Sequence, residues 1–224
     1  MNEYWIIGAG KFGRQALNVL AERRRGNCFV VVDKDRAALN RVRSSRAETI
    51  CADGIDFLER RLANRNHPDW IVPCLPVHLA FEWVRRQLES THALELLPIP
   101  EAVRKALPHP FEGNGGELYI SYADFVCPDD CPEPADICTV TGRPRPAALY
   151  NSIAGFPARK VHPVVVRSRQ LSPGVGGYQP QALFDALEQV RVLSGTIVLA
   201  TACRCHGVLH VFRLFEKPSP KKSG

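Results

Sequence analysis

Apolar and polar residues follow two alternating rhythms along the first hundred positions. Short, continuously apolar runs at 4–8, 29–33, 48–51, 70–74 and 94–97 have the length of strands. Between them, 12–24, 36–43, 55–63 and 79–90 repeat apolar positions at helical spacing. In the second of these helices Ala37, Ala38, Asn40 and Arg41 leave only a thin apolar stripe, which predicts a short helix lying on the surface. Strands that are apolar throughout and separated by helices predict parallel pairing with both faces covered. Five such β units before residue 98 predict an α/β, doubly wound, Rossmann-like parallel sheet.

The rhythm changes after residue 97. Of the 18 prolines, 15 lie from Pro98 onward, and proline is excluded from helix interiors and central strands, so the second part is expected to be loop-rich. Within it 162–169 reads as a strand, and a helix begins near Pro180 with Leu183, Leu187 and Val190 on one face. The runs 196–202 and 208–214 read as a hairpin. The expected organisation is a dinucleotide-type domain at 1–97, a smaller cysteine-containing α+β domain at 98–216, and a disordered tail at 217–224.

Charge and composition narrow the partners. The net charge of +6 is divided evenly, with 15 basic and 12 acidic residues up to Leu97 and 14 and 11 after it. A nucleic-acid-binding module concentrates its positive charge, so nucleic acid is not an expected partner. No apolar run approaches the roughly 20 residues of a membrane span. The start of the chain runs straight into a strand pattern instead of a cleavable leader, so the protein reads as cytoplasmic. In that setting eight cysteines are metal ligands, redox groups or core fillers before they are disulfides.

At the junction of the first strand and helix stands Gly8-Ala9-Gly10-Lys11-Phe12-Gly13. Gly8 permits a sharp turn, Gly10 leaves room for a pyrophosphate against the backbone, and Gly13 lets the helix pack close to the sheet. The helix N-terminus, with Lys11 and Phe12 in its first turn, then aims free N–H groups at the phosphates. Asp33 ends the second strand 20 residues after Gly13, where a carboxylate accepts from ribose hydroxyls and repels a 2′-phosphate, favouring NAD over NADP. Lys34 and Arg36 nearby soften that preference.

These residues, together with Val31-Val32-Asp33-Lys34-Asp35 and Cys51-Ala52-Asp53-Gly54, resemble the TrkA-type NAD-binding domain of bacterial potassium-uptake regulators and related channel-gating modules. The resemblance covers about residues 1–97. It implies a Rossmann-like fold that binds NAD(H) or another adenine nucleotide, often as a homodimer with a regulatory role. By position it assigns phosphate contacts to Gly8, Gly10 and Gly13, ribose to Asp33, and an adenine-side contact to Asp53.

Three cysteines fall within twelve residues in Cys127-Pro-Asp-Asp-Cys131-Pro-Glu-Pro-Ala-Asp-Ile-Cys138, and two more in Cys203-Arg204-Cys205-His206-Gly207. The first segment is too rich in proline and acid to pack as core, and thiolates in such a turn can converge on a soft cation. Cys127, Cys131 and Cys138, joined by Cys203 or Cys205, form the expected four-thiolate site, with an iron–sulfur cluster preferred to zinc because no spacing is CxxC. Free reduced thiols are the alternative. His206, beside two of these cysteines, is a candidate ligand or proton donor, and His210 is expected to be buried. Cys28, Cys51 and Cys74 lie in expected strands and read as buried fillers.

A second glycine loop, Ser172-Pro173-Gly174-Val175-Gly176-Gly177, follows Arg167 and Arg169 and precedes the helix at Pro180. Strand, glycine loop and helix N-terminus together make a candidate anion site, with a solvated turn as the alternative. No hydrolase or nucleotide-triphosphatase motif is present, and no catalytic residue can be assigned. Two functions follow. One is an NAD(H)-binding redox protein, an NAD-dependent oxidoreductase by reaction class, that couples the dinucleotide to a cysteine-ligated metal centre. The other is a non-catalytic NAD(H) sensor that controls a protein partner and carries a structural metal site.

Overall fold

The computed structural model describes residues 1–23, 25–42, 44–64, 67–156 and 161–217. The expected tail falls on 217–224, and all of it beyond Lys217 lies outside the described residues.

The first unit is built from β1 (Glu3–Ile7), α1 (Lys11–Arg23), β2 (Cys28–Asp33), α2 (Arg36–Leu39), β3 (Ala47–Cys51), α3 (Gly54–Leu62), β4 (Trp70–Pro73) and α4 (Leu79–Leu88). The four strands are parallel, in the order β3-β2-β1-β4. In β1, Tyr4, Trp5, Ile6 and Ile7 are all buried, as a strand covered on both faces requires. Helix α2 is a single turn, Arg36–Leu39, capped by the Asp35 side chain, short as its thin apolar stripe predicts and ending before residue 43.

The rest of the described chain adds β5 (His92–Leu96), α5 (Glu101–Ala106), β6 (Phe111–Glu112), β7 (Leu118–Ser121), α6 (Leu149–Ala154), β8 (Val161–Arg167), β9 (Arg169–Ser172), β10 (Val175–Gly177), α7 (Pro180–Val192), β11 (Thr196–Ala202) and β12 (His206–Glu216). Strand β12 organises a second sheet. One edge pairs antiparallel with β11, and the other pairs first with β7 and then with β5. Strand β8 lies parallel to β11, with α7 as the crossover between them.

Two expectations are corrected here. The fifth run, expected at 94–97 in the first sheet, forms β5 of the second sheet, antiparallel to β12. Beside the free edge of β4 lies the β9–β10 hairpin instead: Tyr178, just after β10, exchanges both backbone hydrogen bonds with Ile71, at 2.8 and 3.0 Å. A Cβ on Gly177 would stand 2.8 Å from the Ile71 carbonyl, so this approach requires glycine. The second glycine loop is therefore the turn of a hairpin rather than a connection running directly into a helix. The helices α5 and α6 and the short strands β6 and β7 were not legible in the sequence.

Helices α3, α4 and α7 fill the space between the two sheets. There Trp5, Ile7, Phe57, Leu58, Phe81 and Trp83 share one buried cluster with Val164, Leu183, Leu187, Leu199 and Phe212. Helix α1 covers the outer face of the first sheet through Ala16, Leu17 and Leu20. The outer face of the second is covered by Val103 of α5 and by Leu149 and Ile153 of α6. The shared middle core joins the two halves of the chain, because separating them would expose large aromatic side chains. Among the described residues, no helix is long and apolar enough to cross a membrane.

Candidate functional site

The glycine loop follows β1 directly. Gly8 has φ +115, and a Cβ there would stand 2.6 Å from the Cys74 carbonyl, so both conformation and space demand glycine. A Cβ on Gly13 would fall 1.9 Å from the Gly8 carbonyl, which presses α1 against the turn. Gly10 differs: a Cβ there meets nothing within 4 Å. The loop thus keeps open ground over Gly10 while its other two glycines are closed by packing.

Asp33, at the tip of β2, reaches the same turn. Its carboxylate accepts from the Ala9 N–H at 2.7 Å and, through the other oxygen, from the Asp35 N–H at 2.8 Å. These bonds fix the carboxylate beside the loop. Lys34 contributes a carbonyl near the Cys51 thiol. Asp53 caps α3, accepting from the Ile55 and Asp56 N–H groups at 2.8 and 3.2 Å, a local reason for an aspartate at this position. Lys11 turns toward Asp129, and half-exposed Phe12 projects from the loop.

Phe12 also lines a cavity of about 710 Å³ that holds every cysteine of the second half: Cys127, Cys131, Cys138, Cys203 and Cys205. The long segment from β7 to α6 carries the first three, and the β11–β12 turn presents the others together with His206. His206 stands between two thiols, with Nε2 3.5 Å from the Cys127 sulfur and Nδ1 3.9 Å from that of Cys203. The Cys203 sulfur accepts from the N–H groups of Cys205 and His206, each at 3.4 Å. Cys138 is held in a similar way by the Val140 and Thr141 backbones and the Thr141 side chain, and these bonds lower its thiol pKa to about 7. Turns that aim N–H groups at a sulfur favour the thiolate.

Cys127, Cys203 and Cys205 are shifted the other way. Burial, with the nearby Glu133 carboxylate, pushes Cys203 up to about 12. Burial raises Cys205 to about 11 despite the Arg145 guanidinium, which touches its sulfur. Cys127 is raised by burial and then by the negative charge that Cys131 and Cys138 would carry. Cys127 thus feels Cys131 and Cys138, Cys205 feels Cys127 and Cys131, and Arg145 acts on Cys127, Cys138 and Cys205. Among the described residues, no three His, Cys, Asp or Glu side chains stand placed to hold a metal ion as they are. The thiols share a cavity without converging on a common point.

The expected fillers divide. Cys74 is largely buried, with its thiol pushed up to about 12 by burial. Cys28 and Cys51 are exposed, which corrects their reading as core residues: the strands that carry them place these two side chains outward. At the second glycine loop, the Arg167 guanidinium lies 4.3 Å from the centroid of the Tyr150 ring. Gly174, at φ +70, sits against the Asp129 carbonyl, Gly176 faces the Ser168 hydroxyl and Gly177 faces Ile71. Arg169 opens β9 on the exposed side. The structure brings Gly174 and Gly176 to the cysteine cavity and leaves Arg167 and Arg169 off its lining.

Sequence reasoning missed a histidine pair. His78, just before α4, and His210, on β12, are each 3% exposed. Their Nδ1 atoms are 3.0 Å apart, His78 Nε2 lies 3.0 Å from the Thr201 hydroxyl, and His210 stacks on Phe81 at 3.8 Å. A contact between two Nδ1 atoms holds one proton, so the rings act as a unit. Burial holds both below the usual histidine pKa, and for His78 the facing His210 adds to this; Glu117 and Glu82 oppose it at His210, and Arg85 reinforces it. A depressed folded-state pKa means that the unfolded chain takes up protons first. The stability this pair contributes is present in full above about pH 6.5 and is lost as pH falls from there through the folded pKa. Melting temperature should therefore decline over that acid range, with two imidazoles remaining neutral below pH 6.5 in ring-proton titrations. Rings titrating at the ordinary value would contradict this.

Comparison with known proteins divides the chain in a compatible way. Residues 4–79 match the family model for the TrkA-N domain, which points to NAD(H) binding. Residues 80–215 match the family model AF_1314_C, described as "Uncharacterized protein, C-terminal domain". A protein of Archaeoglobus fulgidus described as "Uncharacterized protein" is 30% identical over 219 residues, covering 91% of this chain and 96% of that one. No solved structure matches.

Proposed function

The chain belongs to the AF_1314_C family, with a TrkA-N domain ahead of that module, and from this we propose that it binds NAD(H) at the glycine loop and couples the dinucleotide to a cysteine-ligated metal centre. The observation that carries the proposal is the shared cavity: Phe12 of the glycine loop and all five second-half cysteines line the same space. In this reading Gly8, Gly10 and Gly13 shape the phosphate cradle, and Asp33 holds the ribose. The boundary between the two units falls ahead of β5, and a reducing cytoplasm keeps the thiols free.

Thiols are the donors a soft metal takes, although among the described residues no three side chains stand placed to hold a metal ion as they are. Cys127, Cys138 and Cys205 each feel the Arg145 guanidinium, and Cys205 also feels Cys127 and Cys131. Cys205 is therefore the better fourth ligand, and Cys203, hydrogen-bonded within its own turn, stands next to His206. Iron–sulfur is preferred to zinc on the spacing of the ligands, and when bound it would exchange single electrons. The chain's own groups orient the dinucleotide, shield the thiols, and supply His206, next to the non-ligating Cys203, as a proton carrier.

Anaerobic purification tests this reading. A brown protein whose broad visible absorbance bleaches when NADH is added supports it; a colourless protein with one zinc overturns the redox half. That second result would favour a TrkA-type sensor, a reading already supported by the direct contact between Lys11 and the cysteine segment. The role given to Asp33 is tested by substitution. Asp33→Asn should weaken NADH binding by about tenfold, the loss of one charge-assisted bond, and narrow the preference over NADPH. Equal binding of the two dinucleotides by the unaltered protein would contradict it.

A further inference from the structure

The segment that carries Cys127 and Cys131 lies directly on the dinucleotide loop, and the contact is made by the residue midway between them. Asp129 pairs through its carboxylate with the Lys11 ammonium at the first position of α1. Its carbonyl accepts from the Gln15 amide one turn further along, at 2.9 Å. From the other side the β9–β10 turn closes on the same residue. The absence of a side chain at Gly174 admits the Asp129 carbonyl, and the Gly174 N–H donates to the Cys131 carbonyl at 3.0 Å. Gln170 adds a bond to that same carbonyl at 2.7 Å. Asp129 is thus gripped between α1 and the hairpin, its carboxylate paired with the side chain of the first residue of α1.

We propose that Asp129 is an internal latch: its carboxylate holds Lys11 where a dinucleotide phosphate would otherwise hold it, so that binding of the dinucleotide releases the Cys127–Cys131 segment. The inference rests on the reading of the glycine loop as the phosphate site. A phosphate and a carboxylate compete for one ammonium, and they repel each other if both remain near it. Because Asp129 is two residues from each cysteine, a shift of its backbone carries the segment that holds both thiols. The latch gives the sensor and the redox readings the same physical link: occupancy at the loop changes the geometry of the thiols. Cys28, on the exposed side of β2, has no such connection.

Asp129→Asn keeps the size and removes the charge, and the site is exposed enough that folding is unaffected, which circular dichroism checks. The full chain and the variant are titrated with NADH, and the iodoacetamide labelling of each cysteine is followed by mass spectrometry with and without NADH. The variant should bind NADH about three- to tenfold more tightly at low salt, the scale of one exposed ion pair and one repulsion removed, with the gap closing at high salt. In the unaltered protein NADH should change the labelling of Cys127 or Cys131 and leave Cys28 unchanged. Equal or weaker NADH binding by the variant, or labelling of both segment cysteines indifferent to NADH, overturns the latch while the dinucleotide reading stands. Silence from both proteins in the titration overturns that reading, and the latch with it.

Discussion

Gly10→Asp is expected to abolish NADH binding and leave the fold intact. The space around Gly10 is open, with nothing within 4 Å of a Cβ placed there, so the first atom of the new side chain meets no protein atom. It would project into the ground where a pyrophosphate approaches the backbone, adding a like charge as well as bulk. Each 1.4 kcal/mol is a factor of ten, and excluding the phosphates at close range should cost about a hundredfold or more. Gly13→Ala, although the smaller change, should do the opposite. Its Cβ would sit 1.9 Å from the Gly8 carbonyl, a backbone clash that no side-chain rotation relieves. The strain should cost about 3 kcal/mol of stability, or prevent α1 from docking. Calorimetry and thermal melting separate the two; normal NADH binding by the Gly10→Asp variant would show that the phosphates lie elsewhere.

Metal content should divide the cysteines into two classes. Cys131→Ser and Cys138→Ser are expected to lose the metal outright, because a hydroxyl replaces a thiolate in a set of four and apparent binding by such sets is worth about 10 kcal/mol or more. Cys28→Ser and Cys51→Ser should retain it in full, and since both side chains are exposed they should also melt normally. Cys205→Ser should behave like the first class and Cys203→Ser retain metal, because Cys205 is the one coupled to Cys127 and Cys131. Elemental analysis of anaerobically prepared variants makes the comparison. Undiminished metal in Cys131→Ser would remove this ligand set.

The parts of the molecule that the sequence made legible are those governed by local rules. The parallel β1–β4 unit follows from apolar runs alternating with amphipathic ones, and the glycine turn from steric demands that Gly8 and Gly13 meet within a few residues. The β11–β12 hairpin was equally readable, since its strands flank its turn. What escaped was long-range. Strand β5 carries nothing in its own residues to say that it pairs with β12, more than a hundred positions later, nor that β10 occupies the edge of β4. Arg145, His78 and Asp129 escaped for the same reason. Each is an ordinary residue in its local context and gains a role only when a distant segment meets it. The exposure of Cys28 and Cys51 escaped because a strand's apolar pattern does not fix which way its end residues face.

The most direct test of the account is a calorimetric titration of the folded, unaltered chain with NADH. Saturable heat at one site per chain, weaker with NADPH, is the expected result, because the glycine loop and the Asp33 carboxylate stand together at the strand tips. No heat with either NADH or NAD⁺ would contradict the account at its base.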